Sequence, residues 1–306
     1  MEKKDVAIIG AGAAGLTAAL YASRSGMNVT VLDESGSGGQ VLQIDNLENY
    51  PGLFPAINGI TLMDNMQKQA ESFGAEILQA EVFSIDKKGC DFYIKSSQGE
   101  IVSSSLIIAT GAEHSKLNIP GEEEFTGRGV SYCAVCDGPF FKNKTVTVVG
   151  GGDSACTEAL YLSNIASKVH IIHRRDQFRT ASVIKNRILE NEKITVHYNS
   201  VVTEIKGEGK VESVMIQDVL SKDVTELSTD GVFIFVGMVP RTTLIEMIKK
   251  DENGYYITDE KMGTVIPGLF IAGDVRSKPL RQIVTAASDG AIAGFEAAEF
   301  VKKSRS

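Results

Sequence analysis

The sequence predicts an α/β protein built from two Rossmann-like, three-layer dinucleotide-binding domains, the second inserted into the first. A glycine-rich turn of dinucleotide-binding spacing twice follows an apolar strand and opens a helix. Each copy later closes with an apolar strand that runs into glycine, at 105–111 and 231–237. The remaining C-terminal segment is too short to be a domain of its own. We therefore expect a discontinuous first domain at 1–115 and 243–306 and a second domain at 116–242.

The first copy begins with the buried-strand pattern "DVAIIG" and continues through "GAGAAG" into a helical segment that ends near Gly26. Gly10, Gly12 and Gly15 hold the three fingerprint positions: the turn, the close approach to a pyrophosphate, and the helix–strand contact. The helix N-terminus then offers N–H groups and a positive dipole to the anion. Asp33 ends the second strand, "VTVLD", where a carboxylate can accept hydrogen bonds from ribose hydroxyls.

The second copy reads "TVTVVG", then "GGGDSACTEALYLSNIAS", then "KVHIIH", with Gly150, Gly152 and Ala155 at the fingerprint positions. After its second strand comes "HRRDQFR", which carries three arginines at 174, 175 and 179. Guanidinium groups bind a 2′-phosphate through charge-assisted hydrogen bonds, whereas a carboxylate would repel it. The segment therefore favours NADPH over NADH. A solvated basic loop, partly neutralised by Asp176, is the alternative.

Composition excludes several classes of function. A net charge of −8 argues against a nucleic-acid partner, because phosphate binding needs a basic surface. No signal peptide and no apolar run of membrane-spanning length is visible, so we expect no membrane partner. Four cysteines in 306 residues do not form the framework of a secreted protein. We expect a cytoplasmic protein.

The segment "CAVCDG" places Cys133 and Cys136 two residues apart, with Asp137 directly behind them. A structural zinc site needs about four ligands, and Cys90, Cys156 and the four histidines show no ligand spacing, so we predict no metal. A static disulfide across so short a loop adds little stability. The pattern favours a dithiol that opens and closes, with thiolate character from a helix dipole. Asp137 could transfer the proton that thiol–disulfide exchange requires, or it could merely cap a helix. We expect Cys90 and Cys156 to be packing residues.

With these motifs in place, the chain resembles the low-molecular-weight bacterial thioredoxin reductases over essentially its whole length. "CAVCDG", "GGGDSA" followed by "EALYL", "HRRDQFR", "PGLFIAGDV" and "RQIVTAASDG" occur in the family's order and at its spacing. The resemblance implies a thioredoxin-disulfide reductase with FAD in the discontinuous domain and NADPH in the inserted one. Electrons would pass from NADPH to FAD, to the Cys133–Cys136 disulfide, and to oxidised thioredoxin, with domain rotation between the half-reactions. It also implies a homodimer.

The resemblance also implies roles for individual residues. Cys136 would face the flavin, Cys133 would attack the thioredoxin disulfide, and Asp137 would act as acid and base. The positions expected to contact FAD are Gly10, Gly12, Ala14, Gly15, Asp33, Glu34, Ser35, Gly38, Gly39, Gln40, Asn49, Thr110, Gly111, Asp274, Arg281, Gln282 and Ile283. Those expected to bind NADPH are Gly150, Gly152, Asp153, Ser154, Ala155, His173, Arg174, Arg175 and Arg179.

Further expectations concern the ends of the relay. A terminal helix beginning near Arg281 would direct its positive N-terminus at the flavin and favour the reduced ring. The "GRG" at 127–129 and the pair Phe140–Phe141 resemble the family's docking region, or are ordinary loop and packing residues. Arg241, Pro139 and the short segment before Val265 depart from the family pattern.

Three rival functions remain at this point. A flavin-dependent dithiol oxidase would pass electrons to oxygen without NADPH, which "HRRDQFR" argues against. A nucleotide-binding redox sensor would keep both domains but show negligible turnover. A peroxide-system reductase normally carries an extra N-terminal region, and the fingerprint at Gly10 leaves no room for one.

Overall fold

The computed structural model describes residues 3–44, 47 and 49–305, apart from the side chains of Gln43 and Cys136. The chain divides into two compact units, one formed by residues 1–113 with 239–306 and the other by residues 114–238. The two divisions lie two and four residues before the expected ones, at 113 instead of 115 and at 238 instead of 242. Both units combine parallel sheets with helices, so the predicted α/β class is confirmed.

The elements are numbered in chain order. The strands are β1 (Lys3–Ile9), β2 (Val29–Asp33), β3 (Glu76–Gln79), β4 (Val82–Lys88), β5 (Asp91–Ser96), β6 (Gly99–Ile108), β7 (Ala112–His114), β8 (Val130–Ser131), β9 (Thr145–Val149), β10 (Lys168–Ile172), β11 (Ile194–His197), β12 (Ser200–Lys206), β13 (Ser213–Asp218), β14 (Val224–Ser228), β15 (Gly231–Ile234), β16 (Met238–Pro240) and β17 (Leu269–Ile271). The α-helices are α1 (Ala13–Arg24), α2 (Gly59–Ser72), α3 (Ala134–Asp137), α4 (Asp153–Ser163), α5 (Ser182–Leu189) and α6 (Ile283–Arg305).

The first unit is built on a seven-stranded sheet in the order β3-β2-β1-β6-β5-β4, with β17 also paired to β6. The pairs around β1, β2, β3, β6 and β17 are parallel, and β4 and β5 add an antiparallel edge. Along β1, Val6 and Ile8 belong to one hydrophobic cluster while Ala7 and Ile9 belong to another. The strand is therefore covered on both faces, which explains why its sequence is apolar without alternation.

The C-terminal helix α6 holds α1 at very close range. A Cβ added at Gly290 would lie 2.1 Å from the carbonyl oxygen of Ala14, and one added at Gly294 would lie 2.3 Å from that of Ala18. Only glycine permits this approach of two helices. Because α1 carries the first glycine turn at its N-terminus, α6 fixes the position of that turn in the first unit.

The second unit has three layers. A five-stranded parallel sheet, in the order β11-β10-β9-β15-β8, lies between helices and the antiparallel sheet β12-β13-β14. On β10, Val169 and Ile171 pack in the cluster that contains Leu162 of α4, whereas Ile172 packs with Val202 of β12. Alternate side chains of the same strand thus face the helices and the second sheet.

The two chain crossings between the units run beside each other. Strands β7 and β16 pair as a two-stranded sheet. Arg241 donates its backbone N–H to the carbonyl of Gly111 (3.0 Å), and the Thr110 hydroxyl donates to the carbonyl of Arg241 (2.8 Å). Among the described residues, no helix has the length and apolar character needed to cross a bilayer.

Candidate redox and nucleotide sites

The first glycine turn has the geometry of an anion-binding site. Gly10 has φ +107°, and a Cβ there would lie 2.2 Å from the carbonyl oxygen of Ala109. A Cβ at Gly15 would lie 1.8 Å from the carbonyl oxygen of Gly10, whereas one at Gly12 would meet no atom within 4 Å. No side chain of the described residues caps the N-terminus of α1. The space beside Gly12 is therefore open, and N–H groups at the start of a helix are donors of the kind that bind a pyrophosphate.

The carboxylate of Asp33 lies beside this turn, at the end of β2. One oxygen accepts a hydrogen bond from the backbone N–H of Ala11 (2.8 Å), and the other accepts from that of Ser35 (2.9 Å). Each oxygen keeps lone pairs for a further donor, such as a ribose hydroxyl. Asp33 thus both fixes the glycine turn and remains available to a ligand.

The predicted FAD positions converge at one edge of the first sheet. Gly10, Asp33, Thr110 and Asp274 follow or end four adjacent parallel strands, β1, β2, β6 and β17. Ligands of α/β proteins bind at this carboxyl edge. Alongside these residues the edge carries Gly12, Ala14 and Gly15 at the start of α1, the loop with Glu34, Ser35, Gly38, Gly39 and Gln40, and Gly111 after β6. The Gln40 amide donates to the carbonyl of Ala112 and so ties that loop to the β6 end.

A buried charge cluster supports Asp274. Asp289 accepts hydrogen bonds from Arg276 Nη1 (3.0 Å), Lys278 Nζ (3.1 Å) and the N–H of Gly273 (3.2 Å). Lys278 Nζ also lies 3.0 Å from Asp274 Oδ1, and its side chain is only 5% exposed. Oδ1 of Asp274 is buried and ion-paired with Lys278, although it accepts no hydrogen bond that meets geometric criteria from the described residues. A carboxylate oxygen has more than one lone pair, so Oδ1 can also accept from a ligand hydroxyl.

The segment before α6 contributes a buried donor without a hydrogen-bond partner. Arg281 places its guanidinium 3.6 Å from the centroid of the Tyr255 ring, and its buried Nε has no hydrogen-bond partner among the described residues. Asn49 donates to the side-chain carbonyl of Gln282 (2.9 Å), which joins two predicted FAD positions. The helix itself starts at Ile283, two residues after the predicted Arg281.

The second glycine turn repeats the first with one substitution. Gly150 has φ +143°, and a Cβ there would lie 2.3 Å from the carbonyl oxygen of Phe235. A Cβ at Gly152 would meet only the carbonyl oxygen of Arg179, at 4.0 Å. Ala155, at the third fingerprint position, is fully buried. Space for a pyrophosphate therefore exists here as well, beside Ser154 at the start of α4.

The arginine loop returns to this turn. The backbone N–H of Arg179 donates to the carbonyl of Gly151 (2.7 Å). His173 is buried against the turn, with one ring nitrogen 2.9 Å from the carbonyl of Gln177, and burial lowers its pKa. The side chains of Arg174, Arg175 and Arg179 are exposed and form no ion pair with any described residue. Asp176 therefore does not neutralise them, and their charge is available to an anion.

Asp153 has a role that the sequence did not indicate. Its Oδ1 accepts hydrogen bonds from the hydroxyl of Thr180 (2.6 Å) and from the N–H of Ala181 (3.3 Å). The carboxylate thus fastens the arginine loop to the first turn of α4. Thr180 was missed by the sequence analysis, because no local pattern reports a contact between residues 27 positions apart.

Cys133 lies at the entry to α3 and is disulfide-bonded. It is 9% exposed, and Ser131 Oγ both accepts from its N–H (3.0 Å) and donates to its carbonyl (3.1 Å). The side chain of Cys136 lies outside the described residues. Asp137 ends α3, and its carboxylate caps no helix in the described part of the chain. The capping alternative for Asp137 is thus unsupported.

The other two cysteines are free. Cys156 is buried as predicted, and burial together with the charge of Asp153 raises its pKa to about 12, so its thiol stays protonated. The expectation that Cys90 is a packing residue is wrong. It lies exposed in the tight turn between β4 and β5, where no core reaches it.

The segment before Cys133 is held by a buried carboxylate. Glu122, 3% exposed, accepts from the hydroxyl of Tyr132 (2.7 Å) and from the N–H groups of Leu117 (2.8 Å) and Asn118 (2.6 Å). Burial and this carboxylate raise the pKa of Tyr132 well above its usual range. Neither Glu122 nor Tyr132 was a predicted site residue.

The predicted docking pair separates into two environments. Phe141 is buried and packs edge-on against Phe233, with ring centroids 5.3 Å apart. Phe140 is 73% exposed. Phe141 is therefore a core residue of the second unit, and Phe140 is the member of the pair that a partner can reach.

Comparison with known proteins gives a consistent result. Residues 4–290 match the model of the family "Pyridine nucleotide-disulphide oxidoreductase". A thioredoxin reductase of Treponema pallidum is 50% identical over 297 residues, which cover 97% of each chain. One from Bacillus subtilis is 44% identical, covering 98% of this chain and 95% of its own.

Solved structures agree with these relatives. Lactococcus lactis thioredoxin reductase in its FR conformation matches with a TM-score of 0.94 and 46% identity, covering 98% of this chain and 99% of that one. T. acidophilum thioredoxin reductase matches with a TM-score of 0.92 and 37% identity over the whole of both chains. The chain therefore belongs to the pyridine nucleotide-disulphide oxidoreductase family and, within it, to the thioredoxin reductases.

Proposed function

We propose that this protein is an NADPH-dependent thioredoxin-disulfide reductase that carries FAD. The observation that carries the proposal is the disulfide-bonded Cys133 at the entry to α3, in the same unit as an arginine-flanked glycine turn. Cys90 and Cys156 are free, so neither is bonded to Cys133. A disulfide across so short a segment adds little to stability, so its value lies in its chemistry.

The carboxyl edge of the first sheet fits FAD. The open space at Gly12 suits a pyrophosphate, and Asp33 suits a ribose. The remaining part of the cofactor could donate to Oδ1 of Asp274, which is ion-paired with Lys278, and could accept from the unsatisfied Nε of Arg281. The full set would be the predicted FAD positions at this edge. When bound, FAD would supply a two-electron carrier between the nicotinamide and the disulfide.

The second glycine turn fits NADPH. Gly150, Gly152 and the start of α4 would receive the pyrophosphate, and Arg174, Arg175 and Arg179 would bind the 2′-phosphate. The three guanidinium groups have no ion-pair partner among the described residues, so binding breaks no existing pair. Asp153 would act by holding the loop, and His173 by supporting the turn from below.

In this proposal the chain's own sulfur atoms carry out the last exchange. The Cys133 thiolate attacks one sulfur of the thioredoxin disulfide, and the departing thiolate takes a proton. Cys136 then attacks Cys133, which restores the disulfide and releases the second thioredoxin thiol. Asp137, half-buried next to the pair, would supply and receive the proton.

We also propose that the second unit rotates between the half-reactions. The adjacent crossings β7 and β16 support this motion, because two paired strands can act as a single hinge. If one cysteine is engineered into each unit so that the two can form a disulfide, turnover should slow when that disulfide forms and recover when it is reduced. Unchanged turnover with the bridge intact would contradict rotation.

Thioredoxin as substrate, a homodimer and a cytoplasmic location belong to the same proposal. Phe140, exposed beside α3, supports a protein substrate at this face. Light scattering of the purified protein measures the oligomer, and a monomer would contradict that part. Fractionation of the source cells tests the location.

The central experiment follows flavin absorbance after addition of NADPH, and then the reduction of oxidised thioredoxin. We expect bleaching by NADPH in the wild type and in all variants. Cys133→Ser and Cys136→Ser should abolish thioredoxin reduction, while Cys90→Ser, a matched control, should not affect it. Full activity in either active-site variant would refute the relay. Bleaching followed only by oxygen consumption would indicate the oxidase, and negligible turnover would indicate the redox sensor.

A further inference from the structure

Glu122 is a buried acid that the proposed mechanism does not use. Its carboxylate forms no ion pair with any described residue. Three neutral donors hold it instead: the N–H groups of Leu117 (2.8 Å) and Asn118 (2.6 Å) and the hydroxyl of Tyr132 (2.7 Å). Replacing a buried polar contact by apolar side chains of the same shape is often neutral for stability. The carboxylate is therefore better explained by what it holds than by the stability that it adds.

The backbone that carries this carboxylate is fixed to the second sheet of its unit. The carbonyl of Pro120 accepts a hydrogen bond from the N–H of Ile205 on β12 (3.0 Å). Gly121 has φ +84°, and a Cβ there would lie 2.0 Å from the carbonyl oxygen of Ile205, so the loop lies directly against the strand. The carbonyl of Glu122 accepts from the hydroxyl of Thr126 (2.8 Å). The carboxylate thus projects from a rigid support.

Tyr132 is held to this support along its whole side chain. Its ring packs against the hydrophobic cluster that contains Ile205 and Val214, and it stacks on the ring of His114 with centroids 6.1 Å apart. Its hydroxyl donates to Oε1 of Glu122. Burial and the negative charge of Glu122 raise the pKa of Tyr132, so the hydroxyl keeps the proton that it donates.

Cys133 follows Tyr132 directly, and its own backbone is held from the other side. Ser131 Oγ accepts from the N–H of Cys133 (3.0 Å) and donates to its carbonyl (3.1 Å). Ser131 in turn lies on β8, where it pairs with Phe233 of β15. The two residues before Cys133 are therefore fixed one by one, Ser131 by the sheet and Tyr132 by Glu122.

We propose that Glu122 and Tyr132 are positioning residues that hold Cys133 in the orientation from which it attacks the disulfide of thioredoxin. The inference rests on the proposed function, in which Cys133 is the attacking residue. Consecutive Cα atoms lie about 3.8 Å apart, so a shift of Tyr132 moves Cys133. Attack on a disulfide requires aligned atoms, and a misplacement of about 1 Å can cost a reaction about a hundredfold. Neither residue touches a reacting atom, and both act through the backbone.

The first measurement is a single turnover. The flavin-loaded enzyme is reduced with dithiothreitol, freed of the reagent and mixed with oxidised thioredoxin, whose new thiols are counted by mass spectrometry. Glu122→Gln and Tyr132→Phe should each slow this exchange about tenfold, because the rest of the segment stays in place. The double variant should lose no more than either single one, since all three lack the same contact. Glu124→Gln, the same change at an exposed position of this loop, should match the wild type.

The second measurement needs no thioredoxin and uses Tyr132→Phe, which loses one oxygen atom and serves if Glu122→Gln folds poorly. Alkylation of Cys133 by iodoacetamide in the reduced enzyme is followed against pH by mass spectrometry. Cys133 is only 9% exposed, so its release should raise the plateau rate of alkylation. The pH midpoint should not move, because the substitution changes no charge. Faster alkylation together with slower exchange is the signature of lost positioning, which a change in stability alone would not produce.

Two results would overturn the inference. One is a Tyr132→Phe enzyme that alkylates as the wild type does or with a shifted pH midpoint. The other is a double variant whose losses multiply to about a hundredfold, which would show that the two residues act independently. A wild-type enzyme that does not exchange with thioredoxin would refute the proposed function instead, and the alkylation of Tyr132→Phe would still decide whether the contact positions Cys133.

Discussion

The contact between Asp153 and Thr180 gives a sharp test of how the arginine loop is held. Asp153 lies in the first turn of α4, where a bound phosphate would also lie, and a carboxylate there opposes an anion. In the structure Oδ1 of Asp153 accepts hydrogen bonds from the hydroxyl of Thr180 and from the N–H of Ala181. We therefore expect Asp153 to support binding through its acceptor oxygen and to oppose it through its charge.

Two substitutions separate these effects. Thr180→Val removes the 2.6 Å hydrogen bond and keeps the charge. A hydrogen bond to a charged group contributes about 1.5–3 kcal/mol, and exposure of this pair to solvent places it below that range, at about 1 kcal/mol. Since 1.4 kcal/mol is a factor of about ten, Thr180→Val should weaken 2′-phosphate binding roughly fivefold. Asp153→Asn keeps an acceptor and removes the charge, so binding should equal that of the wild type or be up to about fivefold tighter.

Calorimetric titration with 2′,5′-ADP measures this site without involving the flavin, and 5′-AMP serves as the control ligand that lacks the 2′-phosphate. Thr180→Val should lower the affinity for 2′,5′-ADP much more than that for 5′-AMP. If Asp153 instead contacted the ligand directly, Asp153→Asn would weaken binding while Thr180→Val would be silent. That reversed order would refute the reasoning.

Three further predictions concern stability. Gly294→Ala should destabilise the first unit by about 2 kcal/mol in urea unfolding, because overpacking against the Ala18 carbonyl outweighs the gain of about 1 kcal/mol in helix propensity; a net gain would contradict the close packing. Lys278→Met should cost about 3 kcal/mol and weaken FAD retention, since Asp274 and Asp289 lose a buried cation; unchanged thermal unfolding and FAD release would contradict this. Burial lowers the pKa of His170 to about 4 in the folded protein, whereas the pKa in the unfolded chain is about 6.5. Between these pH values the unfolded chain binds a proton that the folded protein does not, so the free energy of unfolding should fall as pH drops from about 6.5 towards 4. His170→Phe should flatten that part of the profile, and an identical slope would count against it.

The sequence predicted the parts of the fold that local patterns encode. The core of β1, from Val6 to Ile9, is apolar without alternation because both faces of the strand are covered, and glycine marks each turn where backbones meet. The terminal helix was expected to begin near Arg281, and it begins at Ile283. There the Thr285 hydroxyl accepts from the N–H of Gln282 (3.1 Å), a cap that the position of Arg281 does not reveal.

Contacts between distant segments escaped prediction. Glu122 and Tyr132 bond across ten residues, and Lys278 joins two carboxylates that are fifteen residues apart in the chain, Asp274 and Asp289. Such pairs depend on sheet order and helix packing, which a pattern in one segment does not report. Cys90 shows the converse error. A residue type that is buried on average lies exposed when its position is the tip of a two-strand turn.

Each of the two candidate nucleotide sites is held by hydrogen bonds to a carboxylate, but the carboxylate lies at a different place in each unit. In the first unit Asp33, at the end of β2, accepts from Ala11 N and so fastens the glycine turn with the residue that we propose for a ribose. In the second unit that strand end is followed by His173, whose ring supports Gly151, and the fastening carboxylate has moved to Asp153 at the start of α4. Because the acid acts from the helix, the loop after β10 carries three arginines that form no ion pair with any described residue. We expect the position of this carboxylate to favour a ribose hydroxyl in the first unit and a 2′-phosphate in the second.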